Sequence, residues 1–332
     1  MIRDEGKSAQ TGREARFTGV TRLAPSPTGA LHLGNARTFL VNWALARRAG
    51  WRVVMRVEDL DTPRVKAGAI EETLDVLAWL GLDWDGDVEI QSEHAAGHAD
   101  AMRTLARAGV VYPCELTRAQ IEAAASAPQE GSGEVRFPPE LRPGSIGPAA
   151  FEPGGVDGGA NWRFVVPTGE VTFMDAFRGE QRIDPAASIG DFVVWTKRGQ
   201  AAYQLAVVVD DARAGVTQVV RGDDLLDSTA RQLLISRALG VGPEPAYTHL
   251  PLVRGGDGRR LAKRHGDTRI TAYRGRGVGA ERVVGVCAYW CGVSKGRVAM
   301  DAAEFRDRLA LGRIPPRDVV FGAEDEAWLL DA

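Results

Sequence analysis

The N-terminal part of the chain alternates between extended and helical patterns, which restricts it to few architectures. Residues 17–24 predict a short strand, and a Pro/Gly-rich turn leads from it into an amphipathic helix that ends at Gly50. Residues 51–57 are mostly apolar, as in a parallel strand that is buried on both faces. A second predicted helix ends at Gly81. Strand, helix, strand and helix in this order predict an α/β fold with a doubly wound parallel sheet.

The character of the chain changes after Tyr112. Residues 124–160 are crowded with Ala, Gly, Pro and Ser without periodicity, which predicts a loop-rich insertion. Strand-like runs follow in residues 161–209, and we expect the last of them, YQLAVVV, to return the chain to the parallel sheet. Residues 225–239 then predict a helix, and residues 280–332 a small helical tail.

Size and composition fit a globular protein with a sizeable core. The chain has 332 residues, of which 44% are apolar and 26% charged. The polar first 16 residues lack the apolar stretch of a signal peptide, and we expect a cytoplasmic location. Three cysteines are too few for a disulfide framework, which fits a reducing compartment.

Charge is unevenly distributed along the chain although the net charge is only −3. Residues 251–280 carry eight Lys and Arg residues against Asp257 and Asp267. Such a run forms either an ordinary solvated surface or an anion-binding surface, and the motifs in the neighbouring sequence are needed to distinguish the two.

The turn at residues 24–35, APSPTGALHLGN, has the placement of a phosphate site. It lies between a strand and the start of a helix, where backbone N–H groups and the helix dipole favour an anion. Gly29 and Gly34 would let a nucleotide approach the backbone closely. His32 could donate a hydrogen bond to the α-phosphate as negative charge builds there.

These strings together resemble a known enzyme family. APSPTGALHLGN is similar to the HIGH signature of class I aminoacyl-tRNA synthetases in its glutamyl and glutaminyl form, and RVEDLD at 56–61 and LGLDWDG at 80–86 follow in the same order. The resemblance covers roughly residues 18–270. It implies catalytic roles for His32 and Asn35, and an ATP site with five residues from the turn: Pro27, Gly29, His32, Gly34 and Asn35.

The family's second signature, the mobile basic KMSKS loop, has an altered counterpart in RLAKR at residues 260–264. Arg260 stands where the first lysine would be, Ala262 replaces the serine, and Lys263 keeps the second lysine. The resemblance implies that Lys263 first, and Arg260 second, hold the pyrophosphate of ATP as catalytic and nucleotide-binding groups together with Mg²⁺. Arginine keeps the charge but not the geometry of an ammonium.

Recognition of glutamate calls for at least one arginine, a carboxylate and polar partners. The resemblance supplies the candidates Arg22, Ser26, Glu58, Tyr203 and Arg221, with Glu58 for the substrate ammonium. Each has a plainer alternative. Glu58 and Arg221 could form structural ion pairs, and Tyr203 could be a half-buried strand tyrosine.

Within the family, the compact glutamyl-queuosine tRNA(Asp) synthetases look most similar, on YQLAVVVDD and DLLDSTARQ. Ordinary glutamyl enzymes would carry His and Asn where this chain has Gln204 and Val207. The chain also ends too soon after RLAKR for an anticodon-reading domain of usual size. The resemblance implies ATP, glutamate and a queuosine-containing tRNA(Asp) as partners, no membrane partner, and a monomer.

Members of that group often carry a zinc site in the insertion, opening with a CxC pair. Here Cys114 is kept but Leu116 takes the second position, so we expect no zinc and no other bound metal site. Cys287 and Cys291 lie four residues apart and are expected in the core.

The predicted organisation of the chain has five parts, and two alternative functions stay open. They are a disordered tail (1–16), the first half of a Rossmann-type catalytic domain (17–112), an inserted α+β acceptor-type subdomain (113–190), the second half of the catalytic domain (191–279) and a short helical C-terminal tail (280–332). One alternative is a truncated synthetase or other adenylate-forming ligase with a different acceptor, such as a tRNA 3′ end. The other is a non-catalytic paralogue that binds tRNA or ATP, suggested by the altered RLAKR string and the lost cysteine pair.

Overall fold

A computed structural model describes residues 17–124, 135–153, 160–259, 261 and 268–331. The predictions for the tail at 1–16 and for Arg260 and Lys263 lie outside the described residues. The strands are β1 Val20–Leu23, β2 Arg52–Val57, β3 Val88–Ile90, β4 Val111–Cys114, β5 Asn161–Phe164, β6 Val171–Asp175, β7 Gly179–Ile183, β8 Phe192–Thr196, β9 Gln200–Ala201, β10 Gln218–Gly222, β11 Ala246–Leu250, β12 Val253–Arg254 and β13 Val319–Val320. The helices are α1 Leu33–Ala49, α2 Ala69–Trp79, α3 Ala95–Arg107, α4 Arg118–Ala124, α5 Pro185–Ser188, α6 Tyr203–Ala214, α7 Leu226–Leu239, α8 Ile270–Gly275, α9 Ala280–Trp290, α10 Ala302–Arg308 and α11 Ala323–Leu330.

A parallel sheet forms the centre of the fold. Strands β1, β2 and β3 pair in parallel, and so do β10 and β11, with β6 joining β11 and β7 closing a hairpin on β6. The backbone N–H of Thr217, just before β10, donates to the carbonyl of Val20 in β1 at 2.9 Å. The strand order is therefore β3-β2-β1-β10-β11-β6-β7. The predicted α/β fold with a doubly wound parallel sheet is confirmed.

Helix α1 ends where the sequence predicted, and it begins within the string that was predicted as a turn. His32 is its N-cap, and Gly50 ends it in the left-handed region at φ 69°. Ala36, Leu40 and Val41 are fully buried against the sheet. The helix thus runs from the predicted phosphate turn straight through the core.

The C-terminal helices pack on the same core. Val283 of α9, Phe305 of α10 and Leu329 of α11 are fully buried in the cluster that holds Leu33 and Leu40 of α1. Strand β13 also pairs in parallel with β12. Cys287 and Cys291 are buried in this cluster, as predicted, and both are free thiols.

The inserted segment builds a separate antiparallel sheet with the order β4-β5-β8-β9, while its β6–β7 hairpin reaches the main sheet. Strand β8, in residues 191–279 of the sequence division, pairs with β5 of the insertion. The residue boundaries of the five parts remain a prediction.

One predicted strand is a helix. The run YQLAVVV forms the start of α6, and β10 is the strand that continues the parallel sheet. Seven of the twelve α6 residues are buried, including Gln204 and Asp211, so the helix shows no polar stripe. A short apolar run without a polar face is compatible with either a strand or a helix.

No helix within the described ranges is long and apolar enough to span a membrane.

Candidate active site

The turn between β1 and α1 is tied to the end of β2. The backbone N–H of Glu58 donates to the carbonyl of Pro25 at 2.9 Å. Pro27 is buried beneath the turn, whereas Ser26 and Gly29 are exposed on it, and the hydroxyls of Ser26 and Thr28 lie 3.2 Å apart. The turn therefore presents polar groups and open backbone at the N-terminus of a 17-residue helix.

His32 caps that helix through its ring. The Gly34 N–H donates to His32 Nδ1 at 3.1 Å, and the His32 N–H donates to Asn35 Oδ1 at 3.0 Å. Since Nδ1 accepts a hydrogen bond, the neutral ring carries its proton on Nε2. A Cβ at residue 34 would lie 3.0 Å from His32 Cε1, closer than Cβ atoms normally approach other atoms. Glycine at this position is what allows the ring to cap the helix.

The described residues that follow the RLAKR string pair with this turn. The Leu33 N–H donates to Thr268 O at 3.2 Å, and the Ile270 N–H donates to Leu31 O at 2.9 Å. Within the string, Leu261 is buried in the apolar cluster that also contains Leu31. Residues 268–270, just after the string, therefore lie beside His32, and the roles of Arg260 and Lys263 stay predictions.

Four of the five predicted glutamate-binding residues come together at the carboxyl ends of the central strands. Arg22 lies in β1, Glu58 directly follows β2, Tyr203 begins α6 and Arg221 lies in β10. Their charges influence one another: Arg22 acts on the pKa of Glu58, and both Glu58 and Arg221 act on that of Tyr203. The sheet order reverses between β1 and β10, which is where ligands bind in such sheets. Ser26, the fifth residue, is on the adjoining turn.

Sequence reasoning missed two charged residues that organise this cluster. Asp211 of α6 accepts hydrogen bonds from Arg56 Nη1 at 2.6 Å and from Arg22 Nε at 3.4 Å. Arg56 also contacts Glu58 Oε1 at 3.2 Å. Arg56 is fully buried and Arg22 is 5% exposed, so each cation needs a nearby anion. The ion pair considered for Glu58 is thus observed.

Burial dominates the electrostatics of the cluster. It raises the pKa of Glu58 overall, although Arg56 and Arg22 oppose the rise. Burial and then the Glu58 carboxylate raise the pKa of Tyr203, whose side chain still exposes 39% of its surface. Burial also lowers the pKa of Arg221, and Arg22 lowers it further, although Tyr203 opposes this.

Arg221 is held by neutral acceptors. Its guanidinium donates to the His249 ring, to the Gln232 amide, to the Thr229 hydroxyl and to the Leu225 carbonyl. Within the described part of the chain, no carboxylate forms an ion pair with it, so the structural ion pair considered from the sequence is not observed. The alternative of a strand tyrosine at Tyr203 is wrong, because Tyr203 opens helix α6.

A cavity of about 470 Å³ opens beside Tyr203, between the inserted sheet and the start of α6. Arg163, Asp191 and Arg231 line it together with the apolar side chains of Ile121 and Phe192. This volume is in the range of small-molecule sites. The cavity offers room for a second, partly polar reactant next to the glutamate candidates.

Cys114 lies outside these sites. Its side chain is buried in an apolar cluster with Tyr112, Ile121 and Phe137. Among the residues that the structure describes, no group of three or more His, Cys, Asp or Glu side chains could hold a metal ion. The absence of zinc from the protein remains a prediction.

Comparisons with known proteins identify the family of the chain. Residues 19–307 match the family of class I tRNA synthetases (E and Q), catalytic domain. A glutamyl-Q tRNA(Asp) synthetase of Rhodopirellula baltica is 48% identical over 80% of this chain and 82% of its own length. One of Symbiobacterium thermophilum is 45% identical over 93% of this chain and 97% of its own.

More distant relatives share less of their length. Glutamate--tRNA ligase 1 of Mesorhizobium japonicum is 42% identical over 78% of this chain, but over only 53% of its own length. The glutamate-tRNA synthetase structure of Elizabethkingia anophelis has a TM-score of 0.77 at 24% identity, covering 94% of this chain and 69% of that chain, and it shows the common fold. The chain therefore belongs to the class I tRNA synthetases of the E and Q type, in the group of the glutamyl-Q tRNA(Asp) synthetases.

Proposed function

We propose that this ligase of the aminoacyl-tRNA synthetase type activates glutamate with ATP and transfers the glutamyl group to queuosine in the anticodon of tRNA(Asp). The observation that carries the proposal is the convergence of Arg22, Glu58, Tyr203 and Arg221 next to the His32 turn. Relatives of similar length support the acceptor, since glutamyl-Q tRNA(Asp) synthetases match this chain over most of both sequences.

In the first step, an α-carboxylate oxygen of glutamate attacks the α-phosphorus of ATP in line, and pyrophosphate leaves. The N-terminus of α1 attracts the phosphates, and His32 Nε2–H donates to an α-phosphate oxygen as charge builds on it. Catalysis then rests on positioning and electrostatics rather than on proton transfer. In the second step, an acceptor hydroxyl attacks the carbonyl carbon of the adenylate. An ester C–O bond forms, the bond from that carbon to the phosphate oxygen breaks, AMP leaves and the hydroxyl proton is lost to solvent.

The charges of the cluster suit glutamate. Its ammonium would lie against Glu58, and its two carboxylates would be met by the cations Arg22 and Arg221. Mg²⁺ would enter with the phosphates of ATP, as it commonly does at nucleotide sites. When bound, it neutralises the departing pyrophosphate.

The cavity beside Tyr203 is the place that we propose for the acceptor nucleoside. Tyr203, one of the residues assigned to glutamate, lines it, so a nucleoside bound there would lie next to the proposed glutamate site. Arg163 and Arg231 line it and would meet nearby phosphates. We also propose that the protein acts as a cytoplasmic monomer, which cell fractionation and gel filtration would test.

Glutamate-dependent exchange of labelled pyrophosphate into ATP tests the activation step. We expect exchange with glutamate in the absence of any tRNA, and no exchange with glutamine or aspartate. Exchange that requires glutamate tRNA would favour a truncated charging enzyme, which the 42% identity to a glutamate--tRNA ligase keeps open. ATP binding without exchange under any condition would favour the non-catalytic paralogue.

A metal assay tests the zinc prediction separately. We expect less than a stoichiometric amount of tightly bound zinc after purification without added metal. One equivalent per chain would contradict the reading of Cys114 as a buried apolar side chain.

A further inference from the structure

The guanidinium of Arg221 has nearly all its donors committed to the protein. Nε donates to His249 Nε2 at 3.0 Å, Nη1 to Gln232 Oε1 at 2.9 Å, and Nη2 to both Thr229 Oγ1 at 2.7 Å and Leu225 O at 3.3 Å. These contacts use four of its five N–H groups. They leave one N–H of Nη1, and a positive charge without a bonded anion, for a substrate carboxylate.

His249 can accept from Arg221 only in one protonation state. The ring is fully buried, and its Nδ1 lies 2.7 Å from Asp175 Oδ2. Asp175 also accepts from the backbone N–H groups of Phe177 at 2.9 Å and Arg178 at 2.7 Å. An ionised carboxylate with these donors also accepts a hydrogen bond from the Nδ1–H of His249. The ring then carries its proton on Nδ1, and Nε2 presents its lone pair to Arg221.

We propose that Asp175 and His249 are a positioning pair that fixes the ring tautomer and thereby aims Arg221 at a carboxylate of the substrate. The inference rests on the proposed function and adds to it two residues that touch no substrate. The Asp175 carboxylate of β6, the His249 ring of β11 and the Arg221 guanidinium of β10 form one buried line across three neighbouring strands.

The electrostatics of the pair agree with this arrangement. Burial lowers the pKa of His249, and Arg221 lowers it further, although Asp175 opposes the shift. Burial would raise the pKa of Asp175, but hydrogen bonds from His249 and the following backbone lower it overall. The charged and titratable groups around the ring are Asp175, Arg221, Tyr247 and Asp223. Neutral His249 beside ionised Asp175 is the state that the contacts require.

Two substitutions at residue 249 separate the contact of Nδ1 with Asp175 from the contacts of Nε2 with Arg221 and with the Thr229 hydroxyl at 3.2 Å. His249→Gln places an amide oxygen near the position of Nε2, where it can still accept from Arg221, but it gives up the donor to Asp175. His249→Asn keeps a donor near the position of Nδ1 and loses the acceptor. Asp175→Asn presents an N–H to Nδ1 and so favours the other tautomer, whose Nε2–H faces the Arg221 Nε–H.

A second buried Asp–His pair provides the matched control. His98 Nε2 lies 3.1 Å from Asp210 Oδ1, both side chains are almost fully buried, and His98 has no contact with Arg221. His98→Asn therefore breaks a comparable buried Asp–His pair without touching Arg221, and it controls for the loss of such a pair. Thermal unfolding of all four variants shows which of them are folded.

Glutamate-dependent pyrophosphate exchange gives the kinetic test. We expect Asp175→Asn and His249→Asn to raise the KM for glutamate about tenfold or more, with kcat and the KM for ATP changed less than about threefold. His249→Gln should retain a lower KM than His249→Asn. Wild-type KM values in folded Asp175→Asn and His249→Asn would overturn the proposal.

The tautomer of His249 provides a test that does not depend on the reaction. In ¹⁵N spectra of the imidazole, the wild-type protein should show a proton on Nδ1 and a bare Nε2, and Asp175→Asn should show the reverse. A wild-type ring protonated on Nε2 would overturn the proposal. Absence of exchange with glutamate in the wild type, with the expected tautomer, would instead count against the proposed function.

Discussion

Replacing Gly34 with alanine should lower the rate of activation by up to about 10²–10³ without a large loss of stability. The new Cβ would lie 3.0 Å from His32 Cε1 and 3.1 Å from Nδ1, so the ring must shift by a few tenths of an ångström. That shift weakens the hydrogen bond from the Gly34 N–H and moves Nε2 relative to the α-phosphate position. An imidazole displaced in this way stabilises the developing charge less well.

The two effects differ in size. Loss of the cap costs about 0.5–2 kcal/mol, whereas alanine in a helix is favoured over glycine by roughly 0.5–1 kcal/mol. The free energy of unfolding should therefore change by about 1 kcal/mol or less. Loss of a donor that stabilises the transition state lowers kcat by about 10²–10³, or roughly 3–4 kcal/mol.

Urea unfolding and pyrophosphate exchange measure these two quantities on the same sample. Gly312→Ala serves as the control, because a Cβ there meets no atom within 4 Å and Gly312 is in the C-terminal part of the chain. Exchange by Gly34→Ala within about threefold of the wild type would refute the assignment of His32. A large loss of stability with a proportional loss of exchange would show a structural role alone.

Three further predictions concern the charge cluster and the core. Because burial raises the pKa of Glu58, the KM for glutamate should rise as the pH falls through that pKa and the carboxylate is protonated. Glu58→Gln should have a high KM at every pH, and a wild-type KM profile in this variant would contradict the role of Glu58. Asp211→Asn leaves buried Arg56 and Arg22 without their shared carboxylate, so unfolding in urea should show a loss of about 3–5 kcal/mol, and a loss below about 1 kcal/mol would contradict the argument. Phe305→Ala should cost about 3–5 kcal/mol in the same assay, since Phe305 is fully buried in the core shared with α1; an unchanged midpoint would show that the C-terminal helices contribute little.

Features that depend on neighbouring residues could be predicted from the sequence. The contacts among His32, Gly34 and Asn35 at the start of α1 lie within four residues, so the string HLGN contains the whole cap. The end of the helix at Gly50 is equally local. The strand β2 and helix α7 were also predicted, within one residue of their observed bounds.

Features that depend on distant residues could not be predicted without a resemblance. Asp211 contacts Arg22 across 189 residues, and His249 contacts Asp175 across 74, so no local pattern links them. Helix α6 was predicted as a strand because burial on most of its sides removes the polar stripe that marks a helix. Arg22, Glu58, Tyr203 and Arg221 were identified from the family motif, and the fold then brings them together.

Incorporation of labelled glutamate into tRNA tests the proposed function most directly. The assay compares aspartate tRNA with queuosine, the same tRNA without queuosine, and glutamate tRNA, each with ATP present and with ATP omitted. The proposal predicts ATP-dependent label only on the queuosine-containing aspartate tRNA. Label on glutamate tRNA, or on aspartate tRNA that lacks queuosine, would contradict it.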